Sequence, residues 1–223
     1  MDRIFDLLIS VPCVLIALTL HEFSHALAAY KLGDPTAKIH GRLTLNPLKH
    51  IDIFGALCML LCRFGWAKSV PVDTRYFKNP RRDMALCALA GPMSNLILAF
   101  IATFIFSLSM HFIGNIVFTS QNIAYWICYG YATLLINFIW LNIALALFNL
   151  IPLPPLDGSR IFLVWLPDRL YFKVMRYERQ IAMGFMALLL LDSYILDGMF
   201  TWGLSYLVEL IFDGMLSLFS LIF

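Results

Sequence analysis

The sequence predicts an all-α polytopic membrane protein, on three observations: an excess of apolar residues, their grouping into runs long enough to cross a bilayer, and the sorting of basic residues between those runs. Of 223 residues, 61% are hydrophobic and 13% charged, against roughly 45–50% and about 25% in soluble domains. A water-soluble globule of this size has no interior large enough to hide so many Phe, Leu and Ile side chains. The formal net charge of +2 lacks the clustered basic face of a nucleic-acid-binding surface, so nucleic acid is not expected as a partner. The five cysteines lie mostly in apolar runs, where Cys behaves as a small hydrophobe. Cys58 and Cys62 have no second pair with which to form a metal clip.

Residues 5–30 predict the first span. The stretch 7–30 is 24 residues long, roughly 36 Å at about 1.5 Å per residue, enough to cross a hydrocarbon core of about 30 Å with some tilt. Pro12 predicts a kink. His21 to His25 follow the apolar run in place of a small-residue cleavage site, so the segment is expected to stay in the mature protein. Residues 31–83 hold ten Lys or Arg against four Asp, which by the positive-inside rule predicts a cytoplasmic stretch and an external N-terminus. Within it, residues 51–62 are apolar but too short to span, and 63–73 carry Gly, Trp, Val and Pro. This pattern predicts a short re-entrant β-like hairpin. Residues 84–111 and 123–151 predict the second and third spans. The basic stretch 160–180 again reads as cytoplasmic, and Tyr171, Phe172 and Tyr177 within it fit either an interfacial helix on anionic lipid or a solvated connector. Residues 181–196 predict a fourth span, and 200–223 form a candidate fifth. The acids Asp192, Asp197, Glu209 and Asp213 read either as loop charges or as polar marks of a partly buried last helix. The whole chain, 1–223, reads as a single domain.

The chemistry concentrates at His21-Glu22-Phe23-Ser24-His25. On a helix the i, i+4 spacing turns both imidazoles to one face, where they can grip one Zn²⁺, with Glu22 placed as general base. With five His and three Glu in the chain, random placement gives roughly 0.0015 expected matches to this motif. Ionisable groups within a span are costly, which again favours function.

A hydrolytic zinc site usually has three protein ligands and an open position. A metzincin-type continuation fails, because Ala28 and Lys31 occupy its positions. His40, His50 and Asp52 lie in the polar stretch after the first span, and His111 lies at the far end of the second. Asp157 is better placed. It closes Pro152-Leu153-Pro154-Pro155-Leu156-Asp157-Gly158, whose prolines stop the third span at the depth of the histidines, and Gly158 would permit a sharp turn. An Asp-Gly turn exposed to solvent is the other reading of the same residues.

Five ordered motifs then resemble the site-2 protease family of intramembrane zinc metalloproteases, in a short form without PDZ or CBS modules: His21-Glu22-x-x-His25; Leu45-Asn46-Pro47-Leu48-Lys49-His50-Ile51-Asp52; Phe64-Gly65-Trp66-Ala67-Lys68; Ala90-Gly91-Pro92-x-x-Asn95; and Phe148-Asn149-Leu150-Ile151-Pro152 through Asp157-Gly158. Ser69 stands where many short relatives carry Pro. The resemblance implies a core of three transmembrane helices, one zinc per chain held by His21, His25 and Asp157, Glu22 as catalytic base, and cleavage of single-span membrane proteins or signal-peptide-like segments within the lipid bilayer. It also implies that Asn95 and Asn149 lie at the active site and contact substrate.

A zinc below the membrane surface needs water, and Asn95, Asn137, Asn142 and Asn149 are candidate cavity linings. Hydrogen bonding between helices is the favoured reading of Asn137 and Asn142. The segment 66–72, with Trp66 and Val70 as candidate substrate-binding residues, either adds as a strand to an unwound substrate or anchors at the headgroups through Trp66. Two other functions remain open: a membrane metalloprotease of another lineage with Glu209 as third ligand, and a zinc-binding transporter without hydrolytic activity.

Overall fold

The computed structural model describes residues 2–52, 55, 68–117, 123–195 and 198–222. Among these the secondary structure is helical, with no β-sheet. The first helix, α1 (Asp2–Lys31), runs through Pro12. It ends in a Schellman turn: Gly33, at φ 110°, donates its N–H to the carbonyl of Tyr30, and Asp34 donates to that of Ala29. Only a residue without Cβ adopts that φ cheaply. A short helix, α2 (Thr36–Ile39), and two single 3-10 turns, Pro47–Lys49 and Thr74–Tyr76, follow.

The longest helix is α3 (Pro80–Val117). Proline at its first position removes one of the first-turn N–H groups that would lack an intrahelical partner, and Asp83 reaches back to accept the N–H of Asn79 at 2.9 Å. After α4 (Ile123–Asn149) come α5 (Asp157–Phe162), α6 (Asp168–Arg176), α7 (Glu178–Ile195) and α8 (Met199–Ser220).

Four helical stretches are long and apolar enough to cross a membrane: Ile9–Lys31, Pro80–Phe112, Tyr125–Asn149 and Met199–Ser220. The first three match the expected spans, and the candidate at 200–223 becomes α8. The stretch 181–196, expected as a fourth span, is helical over its described part. It forms most of α7, but that helix carries Glu178, Arg179 and Asp192 within 18 residues, and it is not among the four. Asp192 proves to be a cap. Its carboxylate accepts the N–H groups of Phe200 and Thr201 at 3.1 Å each and so closes the N-terminus of α8, where Gly198 has no side chain to offer. The re-entrant hairpin at 59–74 and the Cys58/Cys62 pair fall largely or wholly outside the described residues; residues 68–73 belong to no helix or strand, and Asp73 is extended.

Packing around α3 relies on small residues. Ala17, Ala26 and Ala29 of α1, Ala88, Ala99 and Ala102 of α3 and Ala146 of α4 are all buried, which lets backbones approach closely where lipid supplies no hydrophobic drive between helices. Ile139 and Ile143 of α4 and Val208 of α8 complete one cluster with Ala99 and Ala102. A second joins Ala29, Phe77 and Cys87 with Val72 alongside. Phe100, Ile101, Phe104 and Ile105 on the opposite side of α3 are exposed, the inside-out pattern of a helix facing lipid. At the ends of the spans, Arg81 pairs with Asp168 at 2.7 Å and lies 4.4 Å above the Tyr171 ring, while Arg160 pairs with Glu178 at 2.5 Å. Arg81 thus ties α6 to the start of α3.

Candidate metal centre

His21 and His25 lie one turn apart on α1, both more than nine-tenths buried, with Glu22 between them 8% exposed. Their rings meet edge to face with centroids 4.6 Å apart. The Nε2 atoms stand 3.0 Å from one another, and Oδ2 of Asp157 is 3.2 Å from His21 Nε2 and 3.3 Å from His25 Nε2. A tetrahedral zinc ion with bonds of about 2.05 Å sets its ligands roughly 3.3 Å apart, so this triangle has the edge lengths of one face of such a site. Burial pushes the Asp157 carboxyl up, but its closeness to the two histidines outweighs that and holds it well below the usual carboxylate range. A carboxylate oxygen and two ring nitrogens so close together make a donor set that could hold one metal ion. Among the described residues these three are the group of side chains able to hold a metal ion.

The outer face of each imidazole is fixed by a hydrogen bond, as metal-binding histidines require. His25 Nδ1 donates to the carbonyl of Cys87 at 2.8 Å, a group that can only accept. Behind His21 a chain of amides sets its polarity from a carbonyl at the far end. Asn142 donates to the carbonyl of Phe138, Asn95 donates to Asn142 Oδ1 at 2.8 Å, and Asn95 Oδ1 is left to accept from His21 Nδ1 at 2.7 Å. Both rings therefore carry their Nδ1 proton outward and turn the Nε2 lone pair towards Asp157.

Local sequence explains each placement. Gly91 lets α3 pass directly against the histidines: a Cβ there would lie 2.3 Å from His25 Nε2. Asp157 opens α5, and Gly158 lies inside that helix rather than in a left-handed turn. The expectation of a turn glycine gives way to one of close approach, because a Cβ at Gly158 would meet the carbonyl oxygens of Leu150 and Ile151 at 2.3 and 2.4 Å. Helix α4 stops at Asn149, and the proline-bearing segment 152–155 leads from it through turns into α5.

The other expected residues divide. Val70 reaches the site through its main chain, donating its N–H to Glu22 Oε2 at 3.0 Å. Asn95 is fully buried behind His21 and engaged with it and with Asn142, a ligand-orienting position rather than the substrate-facing one expected. Asn142 has the expected inter-helix bond, whereas Asn137 is exposed and donates to Thr133 on its own helix. Asn149 donates to the carbonyl of Leu145 at 2.9 Å. Trp66 lies outside the described residues. Glu209 is exposed on α8 and is not part of the triad of candidate ligands, which removes the reading that made it the third ligand. Sequence reasoning passed over the Cys87 carbonyl and the roles of Gly91 and Asp34. Gly91 stood inside a quoted motif; the other two gave no signal.

A bundle with four candidate membrane-crossing helices and a buried two-histidine, one-carboxylate cluster beside a glutamate is the architecture of a membrane metalloprotease. Comparison with known proteins agrees. The model of peptidase family M50 matches residues 10–191. The chain is 43% identical over 215 residues to the protein named "Putative zinc metalloprotease YwhC" of Bacillus subtilis (strain 168), covering 96% of this chain and 91% of that one. It is 32% identical over 149 residues to "Putative zinc metalloprotease Rip2" of Mycolicibacterium smegmatis, covering 65% of this chain and 52% of the relative. A protein of Methanocaldococcus jannaschii, "Putative zinc metalloprotease MJ0611", matches over 81 residues at 36% identity, which is 36% of this chain and 33% of that one. No solved structure matched. The chain belongs to peptidase family M50, the site-2 proteases, and is a multi-pass membrane zinc metalloprotease.

Proposed function

We propose that this protein hydrolyses peptide bonds within or near transmembrane segments of single-span membrane proteins or signal-peptide-like substrates, using one zinc per chain held by His21, His25 and Asp157. The observation that carries the reading is the 3.0–3.3 Å triangle of Nε2, Nε2 and Oδ2 with Glu22 on the same helix turn. Zinc, when bound, supplies Lewis acidity that lowers the pKa of a water and offsets charge developing on the scissile carbonyl. Glu22 accepts the proton of the attacking water and delivers it to the leaving amine. Asn149, at the end of α4, spends one amide proton on Leu145 and offers the other to a substrate carbonyl. A substrate helix satisfies every amide internally and must unwind locally before attack. The segment 68–73 passes beside Glu22, where such an unwound segment would enter.

The excess of Lys and Arg in 31–83 and in 160–180 supports an external N-terminus and a catalytic site towards the cytoplasmic side. The test is co-expression with a panel of single-span membrane proteins, comparing wild type with Glu22→Gln. A fragment made by the wild type and absent in a variant of equal zinc content is expected. A fragment that persists in the variant overturns the assignment of Glu22 as base.

A further inference from the structure

Residues 68–73 form a strap outside any helix that passes beside Glu22, and its peptide groups are pinned at three places. At the near end, Lys68 donates its N–H to the carbonyl of His50 at 2.9 Å, and the buried Arg42 donates from Nη2 to the carbonyl of Lys68. In the middle, the Val70 N–H donates to Glu22 Oε2. At the far end, the Asp73 N–H donates to Asp34 Oδ2 at 2.7 Å. Asp34 is fully buried, and its other oxygen accepts from both the N–H and the hydroxyl of Thr36. It is the residue immediately after the glycine of the Schellman turn, so the turn that ends the helix of His21, Glu22 and His25 carries the carboxylate that holds the strap. Between the pins, Pro71 biases Val70 towards extended backbone, and Val72 packs against the cluster of Ala29, Phe77 and Cys87.

We propose that the main-chain N–H of Val70 is the donor that orients Glu22, and that Asp34 is the positioning residue that keeps this donor in place. A carboxylate has two oxygens and a freely turning side chain. Tethering Oε2 to a fixed amide stops the rotation and leaves Oε1 as the oxygen that takes a proton. A hydrogen bond to an ionised acceptor is about twice as strong as a neutral one, and here it is formed before substrate arrives, so the base needs no reorientation during turnover. The inference rests on Glu22 acting as the general base. It adds a role for a group that no side-chain motif can reveal.

The test uses purified zinc-loaded protein in detergent and a single-span protein that the wild type cleaves and Glu22→Gln does not. Val70→Pro deletes the N–H, Val70→Ala keeps it, and Asp34→Asn replaces the acceptor of the Asp73 amide from the other end of the strap. The expected result is full zinc content in all three. The kcat of Val70→Pro falls about tenfold or more below that of Val70→Ala, with KM within about twofold. Asp34→Asn lowers kcat in the same direction and speeds hydrogen exchange at the Val70 amide. Equal kcat for the proline and alanine variants overturns the proposal, as does a loss in KM alone, which would assign the amide to substrate. Loss of zinc together with activity in Val70→Pro and Asp34→Asn would make the strap a structural element and overturn it as well. Cleavage by Glu22→Gln would instead defeat the reading of Glu22 as base, a separate and distinguishable failure.

Discussion

Gly91 presses against His25 so closely that a Cβ built on it would stand 2.3 Å from Nε2 and 2.7 Å from Cε1 of His21. The atoms in the way are ring atoms already fixed from behind, by the Cys87 carbonyl and by Asn95, so they cannot turn aside. Gly91→Ala is expected to displace both imidazoles and drop zinc content well below one per chain. Gly184→Ala, where a Cβ meets nothing within 4 Å, keeps the metal. Metal analysis of the two purified variants is the check, and full occupancy in Gly91→Ala would contradict it.

The amide chain behind His21 makes a graded prediction. Removing a hydrogen-bonded partner of a metal-binding histidine typically costs about 10- to 100-fold in metal affinity. Asn95→Ala should show that loss in competition with a chelator. Asn142→Ala, one bond further back, should weaken zinc less but in the same direction. Asn137→Ala, exposed on the same helix, should leave affinity unchanged. A null result for Asn95→Ala would mean that the ring of His21 is held by packing alone.

Asn149 differs from these in its proposed role, which is on substrate and not on metal. Its replacement by Ala is expected to lower cleavage by about 10²- to 10³-fold, the usual effect of losing one donor to a developing oxyanion, with zinc content and thermal midpoint unchanged. Cleavage at the wild-type rate would leave its bond to Leu145 as its whole role.

How far the sequence carried the structure depends on whether a feature was local. His21, Glu22 and His25 were legible because helical periodicity alone brings them to one face. Asp157 was legible because the prolines before it fixed its depth, and the first three spans because hydropathy needs no partner. Features that depend on distance between elements were hidden. Nothing in an Ala-Gly-Pro string says that its glycine will lie under two imidazoles. Gly158 reads as a turn residue until the carbonyls of Leu150 and Ile151 are seen beside it. Asn95 was drawn to the substrate because an asparagine near a metal site suits either role, and only the carbonyl of Phe138, two hydrogen bonds away, decides its orientation. The Val70 amide could not have been found by any side-chain pattern. Asp192 looked like a stray charge because the amides it caps belong to the next helix.

The separation of 136 residues between His21 and Asp157 bears on how the protein is made. The ribosome completes α1 early, and that helix then carries two imidazoles and a carboxylate into the bilayer as an incomplete set. Helices α3 and α4 must both be synthesised before Asp157, the third candidate ligand, exists. The last of them must also stop where Asn149 stops, so that Gly158 can lie against the carbonyls of Leu150 and Ile151 just beyond it. Until that moment the nascent chain holds a half-site one ligand short. Completion of the candidate metal centre therefore waits on synthesis of everything between α1 and α5.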